Sequence, residues 1–147
     1  MSRSSDIADA VVAYVNGQGY AWKFDAERLV FPSATVEASD GLLVSVFMGP
    51  RVSDLFDRGR YQVTHTVYLV VQKKLPADAA DLTAETDDLI NLVESIESSL
   101  EAVDLADLAM VGYNTATERI PYNLEAVRQA GVFSSITAFD YVGHYEV

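Results

Sequence analysis

Hydrophobic residues recur with helical spacing near the start of the chain. The apolar stripe runs from Ile7 to Val15, and Gly17 follows it. Ser5 precedes the stripe and has a hydroxyl that can accept a hydrogen bond from an unpaired backbone N–H of the first turn. The pattern predicts a first helix over residues 5–16.

Three stretches with strand periodicity come next. Residues 20–31 alternate imperfectly and predict an irregular first strand. Residues 41–49 form a β-branched and aromatic run between glycines, which is typical of a central strand. Residues 61–72 have one apolar and one polar face, which predicts a long third strand paired antiparallel with the second.

Helical periodicity returns between Leu89 and Leu100. Thr83 is a suitable N-cap, so a second helix is expected over about residues 84–102. Its charged positions are all acidic and have no basic partner at i+4, so no ion pair within the helix offsets their repulsion. That acidic surface must stay hydrated or meet a cation from elsewhere.

The last third of the chain has weaker patterns. A short helical turn is expected around residues 104–108 and a fourth strand over 109–113, and Pro121 breaks any regular element in the stretch after that strand. Residues 132–141 are rich in β-branched and aromatic side chains and predict a final, well-covered strand.

These elements predict the fold class α+β. We expect one domain over residues 1–147, with a mainly antiparallel sheet of about four to five strands and two helices packed on one face. The element order is α-β-β-β-α-β-β. The connection between the second and third strands, Arg51 to Arg60, is longer than a tight hairpin needs, so we expect an extended loop there.

The amino-acid composition excludes several classes of function. The net charge of −12 over 147 residues would repel a phosphate backbone or an anionic membrane surface. The absence of cysteine excludes disulfides, thiolate metal sites and a cysteine nucleophile. The longest apolar stretches are shorter than the ~20 residues that cross a bilayer, and the opening segment has no apolar signal core, so cytoplasmic synthesis is expected.

The charges are also unevenly distributed. Basic residues cluster at the loop between the second and third strands and at the end of the third strand, and we predict that this cluster and its apolar neighbours contact other subunits. The residues of this predicted interface are Arg51, Leu55, Phe56, Arg58, Arg60, Lys73 and Lys74. The predicted acidic surface of the second helix comprises Glu85, Asp88, Glu94, Glu97 and Glu101. Opposite charges of this kind would favour head-to-tail contact between copies. The alternative is that both are hydrated surface charges.

No catalytic, cofactor or metal signature emerges. His65 lies on the apolar side of the third strand and His144 near the end of the sequence, without ligand spacing. A hydrogen-bonded core residue is the favoured interpretation of His65, and a small hydrolase or ligand-binding module built around it is the less favoured one. The glycines of Gly17-Gln-Gly19 follow a helix, whereas those of a dinucleotide site follow a strand. We therefore predict no enzyme activity and no cofactor.

Several segments together resemble the tail terminator and tail-completion proteins of tailed bacteriophages. The segments are the opening helix from Ser5 to Ala13, the stretch from Phe24 to Pro32, and the strand from Leu42 to Val46 that leads to Gly49-Pro50. The long strand ending Tyr68-Leu-Val-Val-Gln-Lys-Lys74, the Leu/Ile-rich helix and the closing strand Phe133–Phe139 continue the resemblance over nearly the whole chain.

This resemblance implies a structural virion protein of the tail neck. Such α/β subunits form rings, usually of six, that cap the tail tube and join it to a head-side connector, with the sheath as a possible further partner. DNA would pass through the ring without being bound specifically, and a carboxylate-rich channel would minimise phosphate adhesion. The same element order suits a head-side adaptor or a minor tube subunit. A third class of function is an acidic inhibitor that mimics nucleic acid with the second helix.

Overall fold

The computed structural model describes residues 4–30, 41–100, 104–105, 110–114 and 122–146. Three helices and six strands occur in these residues. The helices are α1 (Ser4–Asn16), α2 (Ala79–Leu100) and α3 (Leu124–Ala130). The strands are β1 (Glu27–Arg28), β2 (Leu43–Asp57), β3 (Arg60–Lys74), β4 (Asp104–Leu105), β5 (Met110–Asn114) and β6 (Val132–Glu146).

The six strands form one mixed sheet in the order β1-β2-β3-β6-β5-β4. β1 is parallel to β2, and every other neighbouring pair is antiparallel. The three strands of fifteen residues, β2, β3 and β6, lie side by side at its centre. The α+β class, the mainly antiparallel sheet and the pairing of the second with the third strand are therefore confirmed.

Both long helices cover the same face of the sheet. α1 lies over β2 and β3, and α2 lies over β5 and β6. Their apolar stripes pack against the buried side chains of β3, which alternate along the strand with half-buried ones. The core aromatic residues of β6 are on this face, and they are Phe133, Phe139 and Tyr141, each 0% exposed.

Both long helices begin earlier than predicted. α2 begins at Ala79, since Asp78 Oδ1 accepts a hydrogen bond of 2.9 Å from the backbone N–H of Ala80. Thr83, the predicted cap, lies inside the helix and donates to the carbonyl oxygen of Ala79. α1 begins at Ser4, one residue before the predicted cap.

The prediction of an extended loop between the second and third strands is wrong, because residues 51–57 continue β2. Met48 pairs with Val67 and Arg51 pairs with His65, so two residues of β2 oppose one of β3 in a β-bulge. A proline is tolerated at a bulge because it need not donate to the ladder there, so Pro50 does not end the strand. Arg58 and Gly59 form the turn, and the φ of 94° at Gly59 costs glycine no steric strain.

Three smaller features also differ from expectation. The irregular first strand is reduced to β1, and residue 31 lies outside the described part of the chain. Residues 104–105, expected in a helical turn, form β4. α3 was not predicted, because a seven-residue helix shows barely two turns of periodicity. Pro121 and residues 106–109 lie outside the described residues.

Candidate subunit interface

The β2–β3 hairpin ends in a segment with exposed apolar side chains. We call residues 51–64 the hairpin tip. Leu55 is 67% exposed, Val52 50% and Tyr61 39%. Leu55 and Tyr61 are paired across the strands and therefore share a face, whereas Val52 lies on the other face. Apolar side chains on both faces make the tip a candidate contact surface.

The basic residues of the tip are in different electrostatic situations. Arg60 forms an ion pair with Asp57 across the turn, and the Arg60 guanidinium beside Asp57 lowers the pKa of that carboxyl. Arg58 is exposed at the turn and forms no ion pair with any described residue. Arg51 is also exposed and lies opposite His65. Phe56 belongs to β2, but its side chain lies outside the described part of the structure.

The two lysines at the other end of β3 are separate from the tip. Lys73 Nζ lies 2.5 Å from Glu85 Oε1 on α2, and both side chains are largely buried. The acidic helix therefore meets a cation from its own chain at this point. Lys74 is exposed at the end of the strand. The structure thus does not bring Lys73 and Lys74 together with the three arginines.

The predicted acidic surface of α2 is only partly correct. Asp88 and Glu94 are exposed. Glu97 is not on the surface, because it is 6% exposed and its Oε1 accepts a hydrogen bond of 2.7 Å from Thr137 Oγ1 on β6. Glu101 lies outside the described residues. A signal for Glu97 was present in the sequence, since it lies four residues after Val93 and therefore on the apolar stripe.

A cleft of about 600 Å³ lies between α2 and the segment that follows α1. We call it the aromatic cleft, because Tyr20 and Trp22 line one side of it. The Tyr20 ring stacks on Phe24 with centroids 5.8 Å apart, and its hydroxyl lies 2.5 Å from Ser99 Oγ on α2. Burial raises the pKa of the Tyr20 phenol, which favours the protonated form. The aromatic wall is therefore fixed to the helix.

The α2 wall of the aromatic cleft is polar. It carries Asp88, Asn91 and Ser95, all exposed, with Leu92 buried beneath them. Asp88 forms no ion pair with any described residue. The cleft thus combines fixed aromatic rings with a hydrated carboxylate, which suits a partner that offers both an apolar and a cationic group.

His65 is a hydrogen-bonded core residue, which confirms the favoured interpretation. Its imidazole is 1% exposed, and its Nδ1 lies 2.9 Å from the hydroxyl oxygen of Ser4 at the start of α1. It lies between Arg51 and Tyr141 on the neighbouring strands. Burial, with a smaller contribution from the Arg51 charge, lowers the pKa of His65 below its usual 6.5. Burial also raises the pKa of Tyr141.

The lowered pKa of His65 predicts a loss of stability in weak acid. The unfolded chain takes up the histidine proton near pH 6.5, whereas the folded chain takes it up at lower pH. Stability is therefore full above about pH 6.5 and falls as the pH drops below it, by at most about 1.4 kcal/mol per pH unit for one proton. Urea unfolding at pH 7.5 and pH 5.5 should show a smaller pH effect in His65→Gln.

We compare the change in stability between the two pH values, and not the stability itself, because His65→Gln also changes stability at every pH. Val63→Ala on the same strand, which lowers stability without removing a titratable group, is the control and should keep the pH effect of the original chain. An equal pH effect in the original chain and in His65→Gln would contradict the lowered pKa.

No metal-binding cluster of histidine and acidic residues occurs within the described ranges. Among the helices of those ranges, none combines the length and the apolar character that crossing a bilayer requires.

The sequence matches no known family model, and no curated protein matches it. The fold is similar to that of a protein described as the sheath/tube terminator of PVC, an extracellular contractile injection system, in its extended state. The two chains are 12% identical, with a TM-score of 0.57. The similarity covers 100% of this chain and 57% of the other, so this chain spans little more than half the length of that terminator. What the two chains share is therefore a fold.

Proposed function

We propose that this chain is a structural subunit of a tail neck that forms a ring, ends the tail tube and joins it to a head-side connector. The observation that carries the proposal is the fold likeness to a sheath/tube terminator over the whole length of this chain. The segments that resemble phage tail terminators in sequence include parts of α1, β2, β3, α2 and β6. The assembled protein would be part of a virion or a virion-like particle.

The exposed surface supports a role in assembly. A hairpin tip with exposed apolar side chains is costly in water unless a partner covers it. The net charge of −12 favours a ring through which DNA passes without adhering. The tube protein and the head-side connector are the proposed partners, and the likeness to a sheath/tube terminator supports the sheath as a third. We propose no cofactor and no catalytic residue.

The alternative roles differ in the partner contacted. A head-side adaptor would bind the connector without limiting tube growth, and a minor tube subunit would enter the tube along its length. The hydrolase alternative is not favoured, because His65 is 1% exposed and a substrate would need the core to open. The DNA-mimic alternative is weakened by the ion pair between Lys73 and Glu85 and by the burial of Glu97, which remove two charges from the acidic surface.

Tube length is the measurement that tests the proposed role. Tube subunits of the same particle, polymerised with increasing amounts of this chain, should give shorter tubes with a ring at one end in electron micrographs. The shortening has a physical reason, since a subunit that binds the growing end and offers no further tube surface stops addition there. Albumin at equal concentration controls for crowding.

The alternatives give different micrographs. An unchanged length distribution with rings bound only to the connector would replace the terminator role by that of an adaptor. Incorporation along the tube would identify a minor tube subunit. Unchanged tubes and no binding to either partner would overturn the neck assignment altogether.

A further inference from the structure

The hairpin tip and the aromatic cleft lie at opposite ends of the sheet. β3 contains fifteen residues and is therefore about 45 Å long at ~3.3 Å per residue. Leu55 of the tip pairs with Tyr61 at the beginning of β3. Lys73, near the other end, has its Nζ 6.0 Å from the centroid of the Trp22 ring in the cleft wall. A tip therefore cannot reach the cleft of its own chain.

The exposed side chains of the tip include a highly exposed leucine and an arginine without an ion pair to any described residue. Leu55 is 67% exposed. Arg58 stands at the turn, three residues further along, and forms no ion pair with any described residue. Arg60, by contrast, is already held by Asp57. Leu55, the most exposed apolar side chain described in the tip, and Arg58 are therefore the two groups that we assign to a partner.

The aromatic cleft presents the complementary groups. Tyr20 and Trp22 offer apolar ring surface. Asp88 stands on the opposite wall, and α2 contains no basic residue to neutralise it. The three hydrogen-bonding side chains of that wall can satisfy an arginine, which forms its strongest contacts with carboxylates. Apolar surface and charge thus match the tip.

We propose that the hairpin tip of one copy docks into the aromatic cleft of the next copy, with Leu55 against Trp22 and Arg58 paired with Asp88. This contact rests on the proposed ring-forming function and names the surfaces by which its subunits join. The two surfaces differ and lie at opposite ends of the molecule, so the contact is heterologous. Repetition of such a contact closes a ring or, without closure, extends a filament.

Cysteine cross-linking tests the contact directly, because the chain has no cysteine of its own. A chain carrying Leu55→Cys and Asn91→Cys, treated at high concentration with a short bis-maleimide, should give a ladder of covalent oligomers on a denaturing gel. The two positions are too far apart to be linked within one chain. The matched control pairs Leu55→Cys with Arg128→Cys on α3 and should stay monomeric, because the proposed contact does not bring position 55 of one copy to position 55 or 128 of another.

A charge exchange tests the proposed ion pair. Arg58→Glu alone and Asp88→Lys alone should each weaken self-association at least about tenfold, because a like-charge pair replaces an attractive one. An equimolar mixture of the two variants should recover assembly, since every tip then meets a cleft of opposite charge. Asp87→Lys is the matched control, because it makes the same charge change on a position rotated about 100° around α2.

The outcomes separate this contact from the proposed function. Closed rings without a cross-linked ladder would overturn the contact and leave the ring-forming function standing. A ladder from a chain that does not shorten tubes would support the contact and remove the terminator role. A chain that stays monomeric at high concentration, or a mixture of the charge variants that remains as weak as either alone, would overturn the docking of tip into cleft.

Discussion

Phe139→Ala should lower the free energy of unfolding by about 3–5 kcal/mol, the usual cost of removing a buried aromatic ring from a core. Phe139 is 0% exposed and lies opposite Val67 on β3 and Asn114 on β5. Its ring belongs to the core cluster between the sheet and the long helices. The cost combines lost apolar burial with the cavity that remains, and urea unfolding followed by circular dichroism measures it.

Ile136→Ala on the same strand is the matched control. Ile136 is 61% exposed and lies on the face that α1 and α2 do not cover. Its substitution should change stability by less than about 0.5 kcal/mol. Equal losses at positions 136 and 139 would contradict the placement of both helices on one face of the sheet.

Gly49→Ala should lower the free energy of unfolding by about 1–3 kcal/mol, because the added methyl group overfills a packed site. A Cβ at position 49 would lie 2.7 Å from Cε2 of Tyr68 and 2.9 Å from the carbonyl oxygen of Thr66. The tyrosine ring can rotate away, but the carbonyl oxygen can move only with β3. Chemical denaturation of the variant measures the loss.

Gly19→Ala is the control for glycine substitution itself. A Cβ at Gly19 would have no atom within 4 Å, so stability should change by less than about 0.5 kcal/mol. Tyr68→Ala combined with Gly49→Ala should recover only part of the loss, since the contact with Thr66 remains. Original stability in Gly49→Ala would contradict the close approach of β2 and β3 at the bulge.

Much of the fold could be predicted because hydrophobic periodicity records burial locally. The sequence predicted a final strand that contains Phe133, Phe139 and Tyr141, and the stripe from Leu89 to Leu100 predicted α2. Both sets are buried in the structure. Each pattern can be interpreted without knowledge of which other segment lies against it. Each therefore predicts its element correctly from the sequence alone.

The missed features depend on contacts between distant segments. The continuation of β2 past Pro50 requires a bulge against Thr66, and the brief parallel pairing of β1 with β2 leaves no period in the sequence. The pairing of charged side chains could not be predicted from the sequence for a related reason. Lys73 and Glu85 pair with each other, and this requires the end of β3 to lie beside the first turns of α2. Side-chain charge alone does not specify that neighbourhood.

The candidate interface also has one part that the sequence indicates and one part that it does not. The sequence predicted that the segment carrying Leu55 and Arg58 contacts another subunit, and that remains a prediction. The aromatic cleft could not be predicted, because its walls are brought together by the packing of residues 19–22 against the middle of α2. An imperfect strand pattern over residues 20–24 contained the aromatic residues but not their role.

The bulge determines where the hairpin can change in length without a change of face. Gly49 and Pro50 together oppose Thr66, so one strand contains an additional residue. Loss of that residue would remove the bulge and leave Arg51 opposite His65, so the side chains beyond it would keep their faces. Loss of a residue between Arg51 and Leu55 would instead turn Leu55 to the face that now carries Val52. Single-residue deletions in this strand should therefore be confined to the bulge at Gly49 and Pro50 and to the turn at Arg58 and Gly59.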